Sequence, residues 1–167
     1  VFTQSVPGDI TVECFDDIPN PINIIWIDNC DPNSAFATVT DDSDGESCPE
    51  TITRSYRAED ACGNVFEATQ YIVVNDETPP VFTSSPPDVT VECASVLNPE
   101  TLQFVDGCSP TSGNVTGIDS SHGGTCPEII TRIWVATDDC GNTARITKII
   151  TIDDTTPPAF DPAPPDI

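Results

Sequence analysis

Basic side chains are the scarcest feature of this 167-residue chain, which has 5 Lys and Arg residues against 28 Asp and Glu residues. The formal net charge is −23 at pH 7. Such a surface repels nucleic acid and anionic membranes, so neither is expected as a partner. Carboxylates in this number suit hard cations, calcium above all, but they also keep an exposed protein soluble without binding any ion.

The groups on which many enzymes depend are also scarce. His122 is the single histidine, and the sequence has no G-x-S-x-G motif, no H-E-x-x-H motif and no phosphate-binding glycine loop. We therefore expect a protein that is not an enzyme. Long apolar runs are absent as well, which argues against membrane insertion, and an apolar content of 37% is typical of a folded, soluble chain.

The chain contains two copies of one repeat, and the boundary between them is rich in proline. The segment Asn75–Phe82 returns as Asp153–Phe160, 78 positions later, and both segments contain a Pro-Pro pair. Two adjacent prolines fix the backbone in an extended geometry and remove two hydrogen-bond donors, which predicts a stiff linker. The repeat predicts domains at residues 1–77 and 78–155, with residues 156–167 beginning a third repeat.

Cysteine is abundant, but close cysteine pairs are missing. The eight cysteines fall four to a repeat and stand 14 to 18 residues apart, so the C-x₂-C spacing of zinc sites is absent. An even number of widely spaced cysteines in small repeats predicts two disulfides for each repeat. Disulfides also predict an extracellular location.

Apolar residues alternate with polar ones along many segments, and no segment has a sustained helical period. Leu102 and Phe104 stand between polar neighbours, which by repeat equivalence turns Ile24 and Trp26 toward the core. The same rule assigns core positions in the last strand of each repeat to Phe66, Ala68, Ile72 and Val74 and to Ala144, Ile146, Ile150 and Ile152. The pattern predicts an all-β protein in which each repeat is a sandwich of five to seven strands.

Two arginines break this alternation. Arg54 and Arg132 share the parity of the aromatic residues on their strands, Tyr56 and Trp134, which places them on the core-facing side. Each side chain could extend toward the acidic loops at that end of its strand. A structural ion pair, or stacking on the aromatic ring, is a more ordinary role for them than a functional one.

Strand direction predicts which cysteines pair. If the strands alternate in direction, Cys14 and Cys48 lie at one end of the first repeat, and Cys30 and Cys62 lie at the other. Pairing by end gives the disulfides Cys14–Cys48, Cys30–Cys62, Cys93–Cys126 and Cys108–Cys140. Each would close a loop of just over 30 residues, a cross-link worth about 4 kcal/mol in the chain-entropy model.

The same strand directions bring acidic residues together at the linker. Asp76 and Glu77 leave the first repeat at the end that meets the loops carrying Asp106 and Asp138. Oxygen ligands from several segments suit calcium, which would also relieve the repulsion between them, so these four residues are a candidate metal site. The alternative is that Asp138, like Asp60 in the first repeat, only binds the backbone of its own hairpin turn.

Several motifs of this chain resemble those of one protein family. They are the Asp-x-Thr-Pro-Pro linkers, the Val-Thr-Val-Glu-Cys strand, the Asp-Asn-Cys-Asp turn and the Asp-Cys-Gly-Asn-Thr-Ala hairpin. Together they resemble the hyalin-type, immunoglobulin-like tandem repeats of bacterial cell-surface adhesins, closest to the giant gliding-motility adhesins of gliding Bacteroidota. The linkers are also similar to those of cadherins, in which aspartates at domain junctions bind calcium.

The resemblance implies two tandem immunoglobulin-like or cadherin-like β-sandwich modules joined by a Pro-Pro linker. It implies a structural stalk or adhesive segment of a large secreted adhesin on the bacterial cell surface, acting in adhesion or gliding motility. The partners would be neighbouring repeats of the same chain, with surface polysaccharide as a further candidate. Two other functions stay open, namely a module that binds carbohydrate or another surface ligand, and an accessory domain of a secreted hydrolase.

Overall fold

The chain folds mainly into β-strands in a computed structural model, which describes residues 1–30, 34–92, 98–108, 112–124 and 126–159. The first six strands are β1 (Ile10–Val12), β2 (Ile25–Trp26), β3 (Ala35–Phe36), β4 (Thr38–Ser43), β5 (Glu50–Glu59) and β6 (Val65–Val74). The other seven are β7 (Val81–Phe82), β8 (Val89–Val91), β9 (Thr101–Val105), β10 (Gly113–Thr116), β11 (Ile118–Ser121), β12 (Glu128–Thr137) and β13 (Thr143–Ile152). Within these residues the helical structure is one 3₁₀ turn, Phe15–Asp17, and no helix is long and apolar enough to cross a membrane. The predicted all-β class is confirmed.

The chain divides into two compact units, each built from more than one segment. Unit 1 comprises Val1–Pro80, Val105–Ser112 and Thr137–Thr143, and unit 2 comprises Val81–Phe104, Gly113–Ala136 and Ala144–Ile167. Unit 1 therefore includes two short segments of the second sequence repeat. The domain boundaries predicted after residues 77 and 155 follow the sequence repeat and stay a prediction. Positions 160–167 of the predicted third repeat lie outside the described residues.

The main sheet of unit 1 has four strands in the order β1-β6-β5-β4. β5 and β6 form a long antiparallel hairpin whose register begins with Glu50 opposite Val74. β1 pairs in parallel with the end of β6, which sets Val12 beside Val74. A separate antiparallel pair, β2 and β3, is extended by a single bridge between Phe2 and Trp26.

Unit 2 repeats this arrangement with one strand more, because its second sheet has three strands where unit 1 has a pair and a single bridge. Its four-stranded sheet has the order β8-β13-β12-β11, with β8 parallel to β13, and a second sheet has the order β10-β9-β7. β7 pairs with β9 as the Phe2 segment pairs with β2, and the backbone N–H groups of Thr3 and Thr83 donate to equivalent carbonyls at 2.9 Å. The repeat detected in the sequence is therefore present in the backbone as well.

The core of each unit contains residues that the alternation selects. Ile24, Trp26, Ile52, Tyr56 and Ile72 are buried in unit 1, and Leu102, Phe104, Trp134 and Ile150 are buried in unit 2. The other predicted core residues of β6 and β13 are half-buried, with one exception. Phe66 is 47% exposed, because it lies near the turn of its hairpin, where its ring packs edge-on against Phe2 with the centroids 4.9 Å apart.

Arg54 and Arg132 are buried, at 3% and 1% exposed, and each is paired with a carboxylate across its strand pair. Nε and Nη2 of Arg54 donate to the two oxygens of Asp41 at 2.8 Å each, and those of Arg132 donate to Asp119 at 2.6 and 2.9 Å. These hydrogen bonds, which outweigh the opposing effect of burial, lower the pKa of Asp41 and of Asp119. The structural ion pair expected for both arginines is confirmed.

Candidate functional site

Three strands of unit 1 bring their ends to one place. The last residue of β1 lies beside Val74, the last residue of β6, and Val74 lies opposite the first residue of β5. The residues just beyond these positions, Cys14, Cys48 and Asp76, therefore share one end of the sheet. All three border the same cleft, which has a volume of about 190 Å³.

Two segments of the second sequence repeat complete this end of unit 1. Each contains an aspartate whose Oδ1 accepts from the backbone N–H two residues later, Asp106 from Cys108 and Asp138 from Cys140, both at 2.9 Å. Oδ1 of Asp138 also accepts from the backbone N–H of Asn142 at 2.8 Å. These turns hold the two cysteines beside the two carboxylates. Asp138 therefore binds the backbone of its own hairpin turn, and its part in a metal site stays a prediction.

Two disulfides join these segments to the first repeat. Cys14 is bonded to Cys108 and Cys48 to Cys140, with Cα–Cα distances of 4.7 and 5.2 Å, within the usual range for a disulfide. The presence of disulfides is confirmed, and it is typical of a secreted or extracellular protein. We call this end of unit 1 the repeat junction, which comprises Cys14, Cys48, Asp76, Asp106, Cys108, Asp138, Cys140 and Asn142.

The predicted partners of these four cysteines are wrong. The sequence predicts Cys14–Cys48 and Cys108–Cys140, because each pair shares one end of one repeat. In the repeat junction all four cysteines border one cleft, and each is bonded to a cysteine of the other repeat. Strand direction assigns a cysteine to an end of a repeat, but it cannot say which repeat supplies the partner once two ends meet.

The prediction of a Cys30–Cys62 disulfide is wrong as well. Both cysteines are exposed, and neither is bonded to another cysteine among the described residues. Each is held in its own aspartate turn, as Cys108 and Cys140 are. Cys126 is also without a disulfide in this part of the chain. The predicted Cys93–Cys126 bond cannot be described, because Cys93 lies outside the described residues.

Three carboxylates converge in the repeat junction beside the disulfides. One oxygen from each of Asp76, Asp106 and Asp138 lies within 4.8 Å of the other two, and Asp76 and Asp138 are each 7% exposed. Oxygen ligands from three separate segments form a candidate cation site. Of the four residues predicted for metal binding, Glu77 is not part of this group, and its Oε1 accepts from Nδ2 of Asn75 at 3.1 Å.

Burial raises the pKa of the Asp76 carboxyl above its ordinary value. The backbone N–H of Thr78, which donates to Oδ1 of Asp76 at 2.9 Å, lowers this pKa, whereas the negative charges of Asp106, Asp138 and Glu13 raise it. The net shift is upward, so the folded state favours the neutral form of Asp76. A proton or a bound cation would each relieve this unfavourable charge.

Asn142 belongs to this site although the sequence analysis assigned it only to a turn. Its Nδ2 donates to the backbone carbonyl of Asp76 at 2.9 Å and to Oδ2 of Asp138 at 3.0 Å. The Asp-x-Cys-Gly-Asn motif signals a turn, but nothing in the motif signals a contact with a residue 66 positions away. Asn142 therefore ties the main chain that leaves the first repeat to the turn that holds Cys140.

The repeat junction links two sequence repeats through two disulfides and the hydrogen bond from Asn142 to Asp76, beside a candidate cation site. Comparison with known proteins adds no family to this description, because no family model and no curated protein matches the chain. The resemblance to hyalin-type repeats therefore depends on the motifs alone.

Proposed function

We propose that this chain is a non-catalytic structural segment of an extracellular stalk or thread on a cell surface, in which immunoglobulin-like β-sandwich repeats follow one another and serve adhesion or gliding motility. The observation that carries the proposal is the pair of disulfides Cys14–Cys108 and Cys48–Cys140, each of which bonds one repeat to the next. A stalk must keep its repeats connected and ordered outside the cell. Covalent bonds at the boundary between repeats meet that need directly.

The disulfides also oppose the electrostatic repulsion between the acidic repeats. With a formal charge of −23, repeats that approach one another repel, and three of the acids meet inside the repeat junction. The two bonds span sequence separations of 94 and 92 residues. A cross-link over a loop of that length, taken singly, stabilises the folded state by about 4–5 kcal/mol in the chain-entropy model. This is comparable to the whole stability of many small domains.

A calcium ion held by Asp76, Asp106 and Asp138 is the second part of the proposal. The support is the convergence of their oxygens and the raised pKa of Asp76. A divalent cation would bind these oxygens and reduce the repulsion between the three carboxylates. Extracellular calcium modules bind with dissociation constants of about 10⁻⁴–10⁻³ M. Calcium at ten times such a constant would stabilise the fold by about 1.4 kcal/mol.

The disulfide part is tested by digesting the oxidised chain without reductant and mapping the linked peptides by mass spectrometry. The expected peptides join Cys14 to Cys108 and Cys48 to Cys140. A peptide that joins Cys14 to Cys48 would contradict the proposal. A glycan array and a surface-binding assay on the same material test the stalk assignment, because a saturable ligand of this chain would favour a ligand-binding module instead.

The calcium part is tested by isothermal titration calorimetry. Asp106→Asn is expected to weaken calcium binding, because it removes one of the three converging carboxylates. Asp28→Asn is the matched control, since Asp28 holds the equivalent turn in the first repeat, where its Oδ1 accepts from the N–H of Cys30 at 2.8 Å. If the wild-type chain shows no heat of binding at millimolar calcium, this part of the proposal fails while the disulfide part stands.

A further inference from the structure

The first repeat carries unbonded counterparts of the cysteines that the second repeat uses in the repeat junction. Cys30 and Cys62 precede Cys108 and Cys140 by 78 positions, the period of the repeat. Cys108 and Cys140 are disulfide-bonded to the preceding repeat, whereas Cys30 and Cys62 are exposed and, within the described residues, bonded to no cysteine. The same structural element is therefore present twice and bonded once.

The local geometry around the two unbonded cysteines matches that of their bonded counterparts. The N–H of Cys62 donates to Oδ1 of Asp60 at 2.8 Å, and Cys140 donates to Asp138 at 2.9 Å. The side-chain amide of Asn64 donates to Oδ2 of Asp60 at 2.7 Å, as Asn142 donates to Asp138. The first repeat thus presents its cysteines in the turn conformation that supports bonding in the second.

The surface beside these turns is open and carries polar side chains equivalent to those of the repeat junction. A shallow cleft of about 100 Å³ is lined by Val1, Asp28, Asp60, Asn64 and other residues of unit 1. In the repeat junction Nδ2 of Asn142 donates to the backbone carbonyl of Asp76 at 2.9 Å. Asn64, the counterpart of Asn142, borders the cleft.

The opposite half of a junction is present in unit 2. Cys126 is the counterpart of Cys48 and is likewise exposed and without a disulfide in the described part of the chain. Asp154 is the counterpart of Asp76, and its Oδ1 accepts from the N–H of Thr156 at 3.0 Å, as Asp76 accepts from Thr78 at 2.9 Å. One molecule therefore carries both complementary halves of a second junction.

We propose that the surface of Cys30, Cys62, Asp28, Asp60 and Asn64 is a docking and cross-linking site for the Cys126 end of another copy of this repeat, and that Cys62 bonds to Cys126 there. This inference rests on the proposed function, since it extends the same junction beyond one chain. The interface is head to tail, so successive copies form a ring if the rotation between them closes and a filament if it does not.

The bonding step is an oxidation that needs an acceptor. The thiols of Cys62 and Cys126 lose two protons and two electrons when the new sulfur–sulfur bond forms. A disulfide oxidant, such as oxidised glutathione or an oxidoreductase disulfide, takes up both and becomes two thiols. The exchange proceeds through a mixed disulfide, in which the second thiolate displaces the oxidant sulfur.

The test uses the full chain, reduced and then reoxidised with a glutathione redox buffer at high protein concentration. Nonreducing electrophoresis should show a ladder of covalent oligomers, and peptide mapping should find Cys62 joined to Cys126. Cys62→Ser should remove that linked peptide, and the double variant Cys30→Ser with Cys62→Ser should abolish the ladder. In both variants the Cys14–Cys108 and Cys48–Cys140 peptides should remain, which shows that the chain still folds.

Three outcomes would overturn the inference. A monomer with a Cys30–Cys62 peptide would show that the first repeat closes its own bond, and a monomer with alkylated thiols would show that no docking occurs. Oligomers joined Cys62 to Cys62 would show random cross-linking. In each case the presence of Cys14–Cys108 peptides leaves the proposed function intact, whereas their absence would contradict the proposed function itself.

Discussion

The side-chain amide of Asn142 donates to the backbone carbonyl of Asp76 at 2.9 Å, across 66 residues of sequence. The same nitrogen donates to Oδ2 of Asp138 at 3.0 Å. One polar side chain therefore holds together the segment that leaves the first repeat and the turn that carries Cys140. This hydrogen bond connects the two repeats independently of the disulfides.

Asn142→Ala is expected to lower the free energy of unfolding by about 1 kcal/mol more than Asn64→Ala does. Both variants lose a turn bond, because Nδ2 of Asn64 donates to Asp60 at 2.7 Å. Asn142 loses in addition its bond to the carbonyl of Asp76. Urea unfolding of the two variants measures the difference. Equal losses would mean that the bond to Asp76 contributes nothing to stability.

Asp76→Asn is expected to stabilise the chain at pH 7 in the presence of a chelator. The folded pKa of Asp76 lies above its ordinary value of 3.8, so folding is disfavoured by its ionisation. At pH values between the ordinary pKa of 3.8 and the higher folded pKa, the folded chain holds more protons than the unfolded chain. The free energy of unfolding therefore falls as pH rises through this interval. The advantage of Asp76→Asn should therefore fade as pH falls toward 3.8. Thermal unfolding of the variant and the wild type from pH 7 down to pH 3.8 measures this advantage. A stability difference that does not change with pH would mean that ionisation of Asp76 is not its cause.

Asp41→Asn is expected to lower the free energy of unfolding by about 1–3 kcal/mol, because it leaves the buried guanidinium of Arg54 without its charged partner. Asp41 is 41% exposed, so solvent screening favours the lower end of that range. Asp42→Asn is the matched control, since Asp42 is exposed and lies opposite Thr53 in the register. Chemical unfolding at pH 7 compares the two, and equal effects would show that only net charge matters.

The same pair should show a pH dependence of the opposite sign to that of Asp76. The folded pKa of Asp41 is lowered by its hydrogen bonds with Arg54, so the stabilisation is fully present above the ordinary value of 3.8. It is lost as pH falls through the folded value. The difference in unfolding free energy between wild type and Asp41→Asn should therefore shrink in strong acid. If the difference persists at pH values below both the folded and the ordinary pKa of Asp41, the charge of Asp41 is not what stabilises the pair.

Gly117→Ala is expected to destabilise the chain by about 1–3 kcal/mol through overpacking. A Cβ atom at Gly117 would lie 2.8 Å from Cγ of Arg132 and 2.9 Å from Cε2 of Trp134, and both of these side chains are buried. Gly107→Ala is the control, because a Cβ there has no atom within 4 Å. Calorimetric melting temperatures separate the two variants. If both melt alike, the packing around Trp134 is loose enough to absorb a methyl group.

The strands and the core could be predicted because they depend on local pattern. Alternation in β9 identified Leu102 and Phe104 as buried, and repeat equivalence extended this to Ile24 and Trp26. The parity of Arg54 likewise predicted a buried arginine with an acidic partner. Phe66 shows the limit of the rule, because alternation gives the side of a strand but not how far the covering layer extends along it.

The repeat junction was predicted only in part. Strand direction placed Cys14, Cys48 and Asp76 at one end, and the turn motif placed Asp138 beside Cys140. The exchange of disulfide partners between repeats depends on how closely two ends approach, and no local pattern encodes that distance. The contact of Asn142 with Asp76 was missed for the same reason.

The Cys14–Cys108 bond changes how far the chain can be stretched. Fully extended at about 3.4 Å per residue, 167 residues would reach about 570 Å. The bond spans a sequence separation of 94, so the covalent path from the first residue to the last avoids 93 residues and uses only 74. That path reaches only about 250 Å even if every strand unfolds. Reduction of both disulfides would therefore more than double the maximum extension of this segment, whereas oxidation limits that extension to less than half.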